Sequence, residues 1–248
     1  MPYKVASVDA AMTLLETIAE HPGEGVTALA RRLGGTKSQS FRLLHTLEER
    51  GFVIKDPATR GYRLGYRALF IGERAKKQTD LISRAQPFLE ELAACSRENV
   101  HLIAREGLYS VCVGLCESPQ NVRLYAQVGR RGPLHAGGGS KVLLAYADPA
   151  VRAEVLANPL ERYNADTITD PARLREVLDA IVRDGYHVAL GDIDENAFAV
   201  SAPIRDHRDE VIAALSIAGP MARLDDAALT RHRAQVLEYG ARISRALR

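Results

Sequence analysis

The sequence predicts an α+β protein in two parts: a small helical front, then a larger body built on a mostly antiparallel sheet. Three observations lead there. Within residues 1–65, three amphipathic segments precede two short strand-like runs around a turn. From His101 onward, strand-like runs rich in Val, Leu and Tyr alternate with helical segments. Charge divides near the same boundary: residues 1–78 hold 13 Lys/Arg against 8 Asp/Glu (+5), and residues 79–248 hold 20 against 23 (−3). A chain of 248 residues is large for one compact domain and comfortable for two.

In the front part, Ser7 stands where it would cap a helix whose apolar positions Val8, Ala11, Leu14, Leu15 and Ile18 recur at three- and four-residue spacing. Pro22-Gly23 ends that helix. Thr27 is placed to cap a short second helix with Leu29, Ala30 and Leu33 on one side, stopped by Gly34-Gly35. A third helix is expected from about Thr36 to Arg50, burying Phe41, Leu44 and Leu47, with Gly51 as its stop. Strand-like runs Phe52–Lys55 and Tyr62–Leu64 then flank the turn Asp56–Gly61. Three helices followed by a hairpin is the order of a winged helix-turn-helix.

With Phe41, Leu44 and Leu47 inward, the third helix offers Lys37, Ser38, Gln39, Ser40 and Arg42 near its start. Arg and Gln can each make bidentate bonds to base edges, while Lys and Ser suit phosphates. The free N–H groups of a helix start also favour phosphate. The hairpin adds Lys55, Arg60 and Arg63. A solvated face normally mixes charge signs, yet the first acid of this helix is Glu48, near its far end. These residues point to double-stranded DNA as the partner.

Between the parts, Tyr66–Thr79 reads as a helix with Leu69, Ile71 and Ala75 on its less polar side, and the pattern stays helical from Asp80 to Arg97 despite Pro87. In the body, "HLIARE", "YSVCVGLC" and "VRLYAQVG" read as strands, and "SKVLLAYA" and "PARLREVLDAIVRDG" as helices. "HVALGD", "FAVSAPIR" and "VIAALSIAG" are strands again. A last helix, from Asp226, carries Leu229, Val236, Ala241, Ile243 and Leu247. No window approaches the roughly 20 apolar residues of a membrane span. The N-terminus lacks a secretory pattern, so a cytoplasmic chain is expected.

The pointed segment of the body is "GPLHAGGGSKVLLAY", Gly132 to Tyr146. Its three glycines stand just before a helix. They could expose successive N–H groups to a carboxylate or phosphate, or could simply make a turn that needs positive φ. It is neither a Walker motif nor a nucleophile elbow, because Ser140 is followed by Lys141 and Val142. The three cysteines form no disulfide framework; Cys112 and Cys116, four apart on a strand, would share a face without partner ligands. His101, His135 and His187 are scattered and read as core or pocket histidines rather than metal ligands. Arg123, Arg130 and Arg131, near the glycine turn, could guide an anionic ligand, although a solvated edge is their first reading. No cofactor fingerprint is present.

The run "SVDAAMTLLETIAEH … VTALARRLG … KSQSFRLLHTLEERGFVIKD … YRLG", together with the body that follows, resembles the IclR family of bacterial transcriptional regulators across almost the whole chain. The resemblance implies a winged helix-turn-helix (1–65), a linker helix (66–79) that helps pair two DNA-binding domains, and a GAF-like effector-binding domain (80–248). It implies effector contacts by Leu124, Gly132, His135, Gly138, Gly139 and Ser140, and by Ala199 and Ser216 on neighbouring strands. The family's acidic pocket position falls on Asp192, or on Glu195 if the segment is shortened. The expected partners are a pseudo-palindromic operator and a small, possibly aromatic, organic acid, with the chain acting as a homodimer or dimer of dimers. The rival is an enzyme acting on small acids with a front docking module, and no base–nucleophile pair or metal spacing supports it.

Overall fold

A computed structural model describes residues 3–248. The chain divides into two compact units, the first ending at Thr79 and the second running from Asp80 to Arg248. In the first unit, helices α1 (Ala6–Glu20), α2 (Val26–Arg32) and α3 (Lys37–Glu49) precede strands β1 (Val53–Lys55) and β2 (Tyr62–Leu64). The strands pair antiparallel with Ile54 opposite Arg63. Leu14 and Ile18 from α1, Leu29 from α2, Leu44 and Leu47 from α3, Val53 and Tyr62 form the core. Helix α4 (Tyr66–Lys77) follows; none of its side chains is buried, and Leu69, Phe70 and Ile71 are exposed.

Three expectations about these helices are corrected. Helix α1 begins at Ala6 behind Val5, so Ser7 lies inside it, and Val8 is exposed. Helix α2 begins at Val26 behind Gly25, so Thr27 caps nothing. The third is larger. Phe41 is 52% exposed and Ser40 only 2%, the reverse of the reading that put Phe41 in the core and Ser40 on the polar face. At about 100° per residue, positions 40, 43, 44 and 47 fall within roughly 100° of arc, which leaves residue 41 outside. Leu43 packs against this core and pulls the buried stripe away from Phe41. Thr36 does cap α3, its Oγ1 accepting from the Gln39 N–H at 3.2 Å.

The second unit opens with α5 (Asp80–Ser96), separated from α4 by Gln78 and Thr79. Strands β3 (Asn99–Glu106), β4 (Tyr109–Cys116), β5 (Arg131–Pro133), β6 (His187–Leu190), β7 (Ala197–Arg205) and β8 (Val211–Pro220) form one sheet in the order β5-β4-β3-β8-β7-β6. All neighbours are antiparallel. Strand alternation splits the sheet into two faces. Along β8, Ala213, Leu215 and Ile217 join α5 and the last helix, α9 (Asp226–Ala246), in one core. Ala214 faces the other way, into a core built from α6 (Gly138–Ala145), α7 (Pro149–Ala157) and α8 (Pro171–Asp184). In α9 the inward residues include Val236, Tyr239, Gly240 and Ile243, whereas Ala241, expected inward, is exposed.

The strand expected at Val122–Gly129 is absent; only Arg131–Pro133 joins the sheet edge. Val122, Tyr125 and Val128 are all exposed, so no buried face holds that segment in a ladder. It is tied at two points, where Asn99 Nδ2 donates to the Leu124 carbonyl (2.9 Å) and the Gly129 N–H donates to the Cys112 carbonyl (2.7 Å). The two cysteines of β4 also differ from expectation. A bulge leaves Val113 without a partner, so Cys112 pairs with Ile103 and Cys116 with Val100. Cys116 packs against the α5/α9 core while Cys112 lies on the opposite side.

The rotation of α3 is testable. Leu44→Ala is expected to cost about 2–5 kcal/mol of front-unit stability, whereas Phe41→Ala should stay within about 0.5 kcal/mol. Urea unfolding of the full chain followed by circular dichroism measures both, and equal losses would contradict the burial described.

Candidate functional site

On the first unit, Lys37, Ser38, Gln39 and Arg42 are exposed on α3, and Arg60 and Arg63 are exposed on the hairpin. Ser40 faces the core and is removed from this set. A lysine in the first turn of a helix opposes the helix dipole, a cost of a few tenths of a kcal/mol that an incoming phosphate would reverse. Lys55 lies over the Tyr62 ring, 5.6 Å from its centroid. Arg32 is already engaged by a two-pronged pair with Glu24 (2.9 and 2.7 Å).

The hairpin turn is held from both sides. Asp56 Oδ1 accepts from the Thr59 (3.1 Å) and Ala58 (2.8 Å) N–H groups, which hold its carboxyl below the usual range. Gly61 sits against the turn after α1: a Cβ there would lie 2.2 Å from the Gly23 carbonyl oxygen. The Gly23 N–H donates to the Tyr62 carbonyl (2.8 Å) and the Tyr62 N–H to the Glu24 carbonyl (3.0 Å). The hairpin backbone that carries the wing arginines is thereby tied to the turn after α1.

On the second unit, a cavity of about 530 Å³ lies between the start of α6, the face of β3, β8 and β7 that bears Ser216, and segment 124–133. Leu124, Gly132, His135, Gly138, Gly139, Ser140, Asp192, Ala199 and Ser216 all line it. Glu195, the alternative acid, is exposed and does not. Among the three arginines, Arg123 pairs with Glu117 (3.2 Å) and Arg131 with Glu106, while Arg130 is exposed at the cavity.

The glycine run has two separate causes. Gly137 has φ +87°, the left-handed region that favours glycine. Gly138 and Gly139 are helical and needed for closeness. A Cβ on Gly138 would lie 2.5 Å from Ser201 Oγ and 2.9 Å from Ala199 Cβ, and one on Gly139 would lie 2.5 Å from Ile103 Cδ1. The N–H groups of Gly138, Gly139 and Ser140 are first-turn donors, which have no intrahelical acceptor. Ser140 Oγ donates to Ser110 Oγ (2.8 Å), and Ser110 in turn to the Gly132 carbonyl (3.2 Å). His135 Nε2 donates to the Glu161 carbonyl at 2.9 Å.

Sequence reasoning missed Lys141. It is only 3% exposed, and its ammonium is ion-paired with Asp192, itself 6% exposed. Asp192 Oδ2 also accepts the Gly137 N–H at 2.9 Å. The signal available was a lysine inside an otherwise apolar helix, "SKVLLAY", which demands a buried acid. Two histidines flank this region, and burial pushes each imidazole down to about 4, with Arg130 adding to the effect at His101 and Lys141 at His187. Both are neutral near pH 7. The unfolded chain takes up these protons first, so their contribution to stability is lost as pH falls from about 6.5 toward 4. Among the described residues, no group of three His, Cys, Asp or Glu side chains could hold a metal ion, and no helix is long and apolar enough to cross a membrane.

A helix-turn-helix with a basic, exposed third helix, followed by a sheet domain with a lined cavity, defines a class of DNA-binding regulators. Comparison with known proteins specifies it. Residues 7–57 match the IclR helix-turn-helix domain, and residues 73–245 match the C-terminal domain of the bacterial transcriptional regulator IclR. The chain is 33% identical over 246 residues to the HTH-type transcriptional regulator KipR of Bacillus subtilis, covering 99% of this chain and 98% of that one. Its structure resembles an IclR transcriptional regulator from Alicyclobacillus acidocaldarius (TM-score 0.90, 28% identity, 99% and 100% of the two chains). It also resembles an IclR homologue from Microbacterium hydrocarbonoxydans complexed with 4-hydroxybenzoate (TM-score 0.84, 28% identity, 97% and 98%). The chain belongs to the IclR family of transcriptional regulators.

The Lys141–Asp192 pair can be tested by a double-mutant cycle. Lys141→Met or Asp192→Asn alone should cost about 3–5 kcal/mol, because each leaves a buried polar or charged group uncompensated. The double variant should lose less than the sum. Additive losses in chemical unfolding would mean the two charges are not coupled.

Proposed function

We propose that this regulator binds a pseudo-palindromic operator as a homodimer or dimer of dimers, and that a small organic acid in the α6 cavity controls a catabolic operon through it. The observation that carries the reading is the start of α6. Its free N–H groups open into a cavity whose accessible surface is mostly carbon, an arrangement that suits one anionic end on an apolar body. The 4-hydroxybenzoate held by the Microbacterium relative has that form. Lys141 balances the charge of Asp192, so this acid does not repel an incoming carboxylate. Leu69, Phe70 and Ile71, exposed on α4, support pairing of chains.

For the DNA side, Arg42→Ala and Gln39→Ala should each weaken specific operator binding by about 1–3 kcal/mol, with relaxed preference at the base each reads. Arg60→Ala and Arg63→Ala should instead weaken binding to all sequences alike and reduce the salt slope by about one unit each. Fluorescence anisotropy on specific and scrambled duplexes at several salt concentrations separates these behaviours; unchanged affinity in all four variants would rule out α3 and the hairpin as the interface.

For the sensor side, a thermal-shift screen of small monocarboxylates should find ligands that add about 2.7 kcal/mol of stability at 100 times Kd. The same ligands should change operator affinity. A panel that neither stabilises the chain nor alters DNA binding would remove the cavity from the account.

A further inference from the structure

One row across the sheet carries polar side chains on the cavity face. His101 on β3 is registered with Ser216 on β8, Ser216 with Ser201 on β7, and Ser201 with His187 on β6. The two serines are hydrogen-bonded to each other, with hydroxyl oxygens 2.7 Å apart. The two histidines differ: Nε2 of each is buried and has no hydrogen-bond partner among the described residues. Buried polar atoms are normally paired, and one left alone weakens the fold.

The surroundings separate these two atoms. His187 is not among the residues lining the cavity, and Lys141 and Asp192 lie close enough to bear on its charge. His101 does line the cavity, registered beside Ser216 and within reach of the charge of Arg130. The hydroxyl of Ser216 is engaged by Ser201, and the Cys112 thiol lies 3.4 Å from the Gly114 carbonyl. Ile103, the next residue of that strand on the same face, is apolar. Other atoms of the ring line the cavity while Nε2 itself is covered, so a molecule in the cavity reaches this nitrogen once the imidazole turns slightly toward it.

Gly138 lies against Ala199 and Ser201 on β7, two strands from His101, while Gly139 lies against Ile103 on β3, two residues along the strand from His101. Two strand spacings are roughly 10 Å, and two residues along a strand roughly 7 Å. The intervening floor includes Ala218 and Ile103. The cavity therefore has an anion-accepting helix start, an apolar floor at Ala218 and Ile103, and at the His101 end an unpartnered imidazole nitrogen with the exposed Arg130 close enough to bear on its charge. An imidazole held unprotonated by burial suits a hydroxyl or carbonyl better than a second carboxylate.

Resting on the proposal that α6 holds an effector carboxylate, we propose that His101 is the specificity-determining residue: its Nε2 hydrogen-bonds an uncharged oxygen, hydroxyl or carbonyl, at the far end of an apolar monocarboxylate. Ligands lacking that oxygen leave the nitrogen unpaired again and bind about tenfold to a hundredfold less tightly.

Titration calorimetry on the full chain tests this with matched probes, 4-hydroxybenzoate against 4-methylbenzoate and 6-hydroxyhexanoate against hexanoate. The wild type should prefer the hydroxylated member of at least one pair by tenfold or more. His101→Phe and, in a smaller volume, His101→Leu should bind the unhydroxylated member at least as well and lose the preference. His101→Gln, which can still hydrogen-bond, should keep part of it. Imidazole nitrogen shifts of His101 in the wild type should move with the hydroxylated probe alone. A preference that survives both apolar variants, or a wild type that binds both members equally, overturns the role of His101 and leaves the α6 carboxylate site standing. Failure of every monocarboxylate to bind overturns both.

Discussion

The close approach of α6 to the sheet is the constraint from which the rest of the second unit follows. With no side chain at Gly138 or Gly139, the helix start sits where a Cβ would collide with Ser201, Ala199 or Ile103. Every residue of α6 is buried as a result, including Lys141. A buried ammonium is tolerable only with a partner, and Asp192 supplies it. That pairing in turn fixes the loop between β6 and β7, since Asp192 also takes the Gly137 N–H and its carbonyl accepts from Thr167 Oγ1 at 2.8 Å. Ile193, beside Asp192, then forms cavity wall. A packing requirement at two glycines has become a charge requirement, and the charge requirement shapes the cavity.

The same logic explains why an acid can stand at the start of a helix expected to receive an anion. An unpaired Asp192 would compete for the first-turn N–H groups and repel a carboxylate. With Lys141 against it, the pair is close to neutral, and only the Gly137 N–H is spent on it. The N–H groups of Gly138, Gly139 and Ser140 remain. The first unit uses the opposite arrangement: Lys37 and Arg42 are left exposed on α3 near a helix start that already carries partial positive charge. One helix start is internally balanced and the other is not, which suits a small ligand in one case and a polyanion in the other.

Element order was legible in the sequence because periodicity and punctuation are local. Three helices, a hairpin, an antiparallel sheet and a long final helix follow from spacing and glycine stops, although both expected caps, Ser7 and Thr27, lie inside their helices, and the cavity residues at 138–140, 199 and 216 came from resemblance. Phase was less legible. Residues 40 and 41 both fit a helical stripe with Leu44 and Leu47, and only Leu43's packing against the core decides that Ser40 is buried and Phe41 exposed. On β4, one bulged residue, Val113, puts Cys112 and Cys116 on opposite faces although their spacing says otherwise.

Phase errors of this kind share a physical origin. A period states which residues move together; what packs against the element sets where the pattern starts. Val122–Gly129 has strand composition, but Val122, Tyr125 and Val128 are exposed and Leu124 and Ala126 only partly buried, so composition is not enough. Lys141 shows the converse. Its sequence neighbours read as an apolar helix, and the charge looked incidental until its partner, 51 residues later, came within reach. His101 belongs with it. A scattered histidine in a strand carries no local signal, because what singles it out is a nitrogen left without a partner among the described residues, at the edge of a cavity assembled from six strands and a distant helix. Groups whose significance lies in an unmet or non-local requirement are the ones a linear reading passes over, and at this site they sit beside the residues that motif resemblance had already marked.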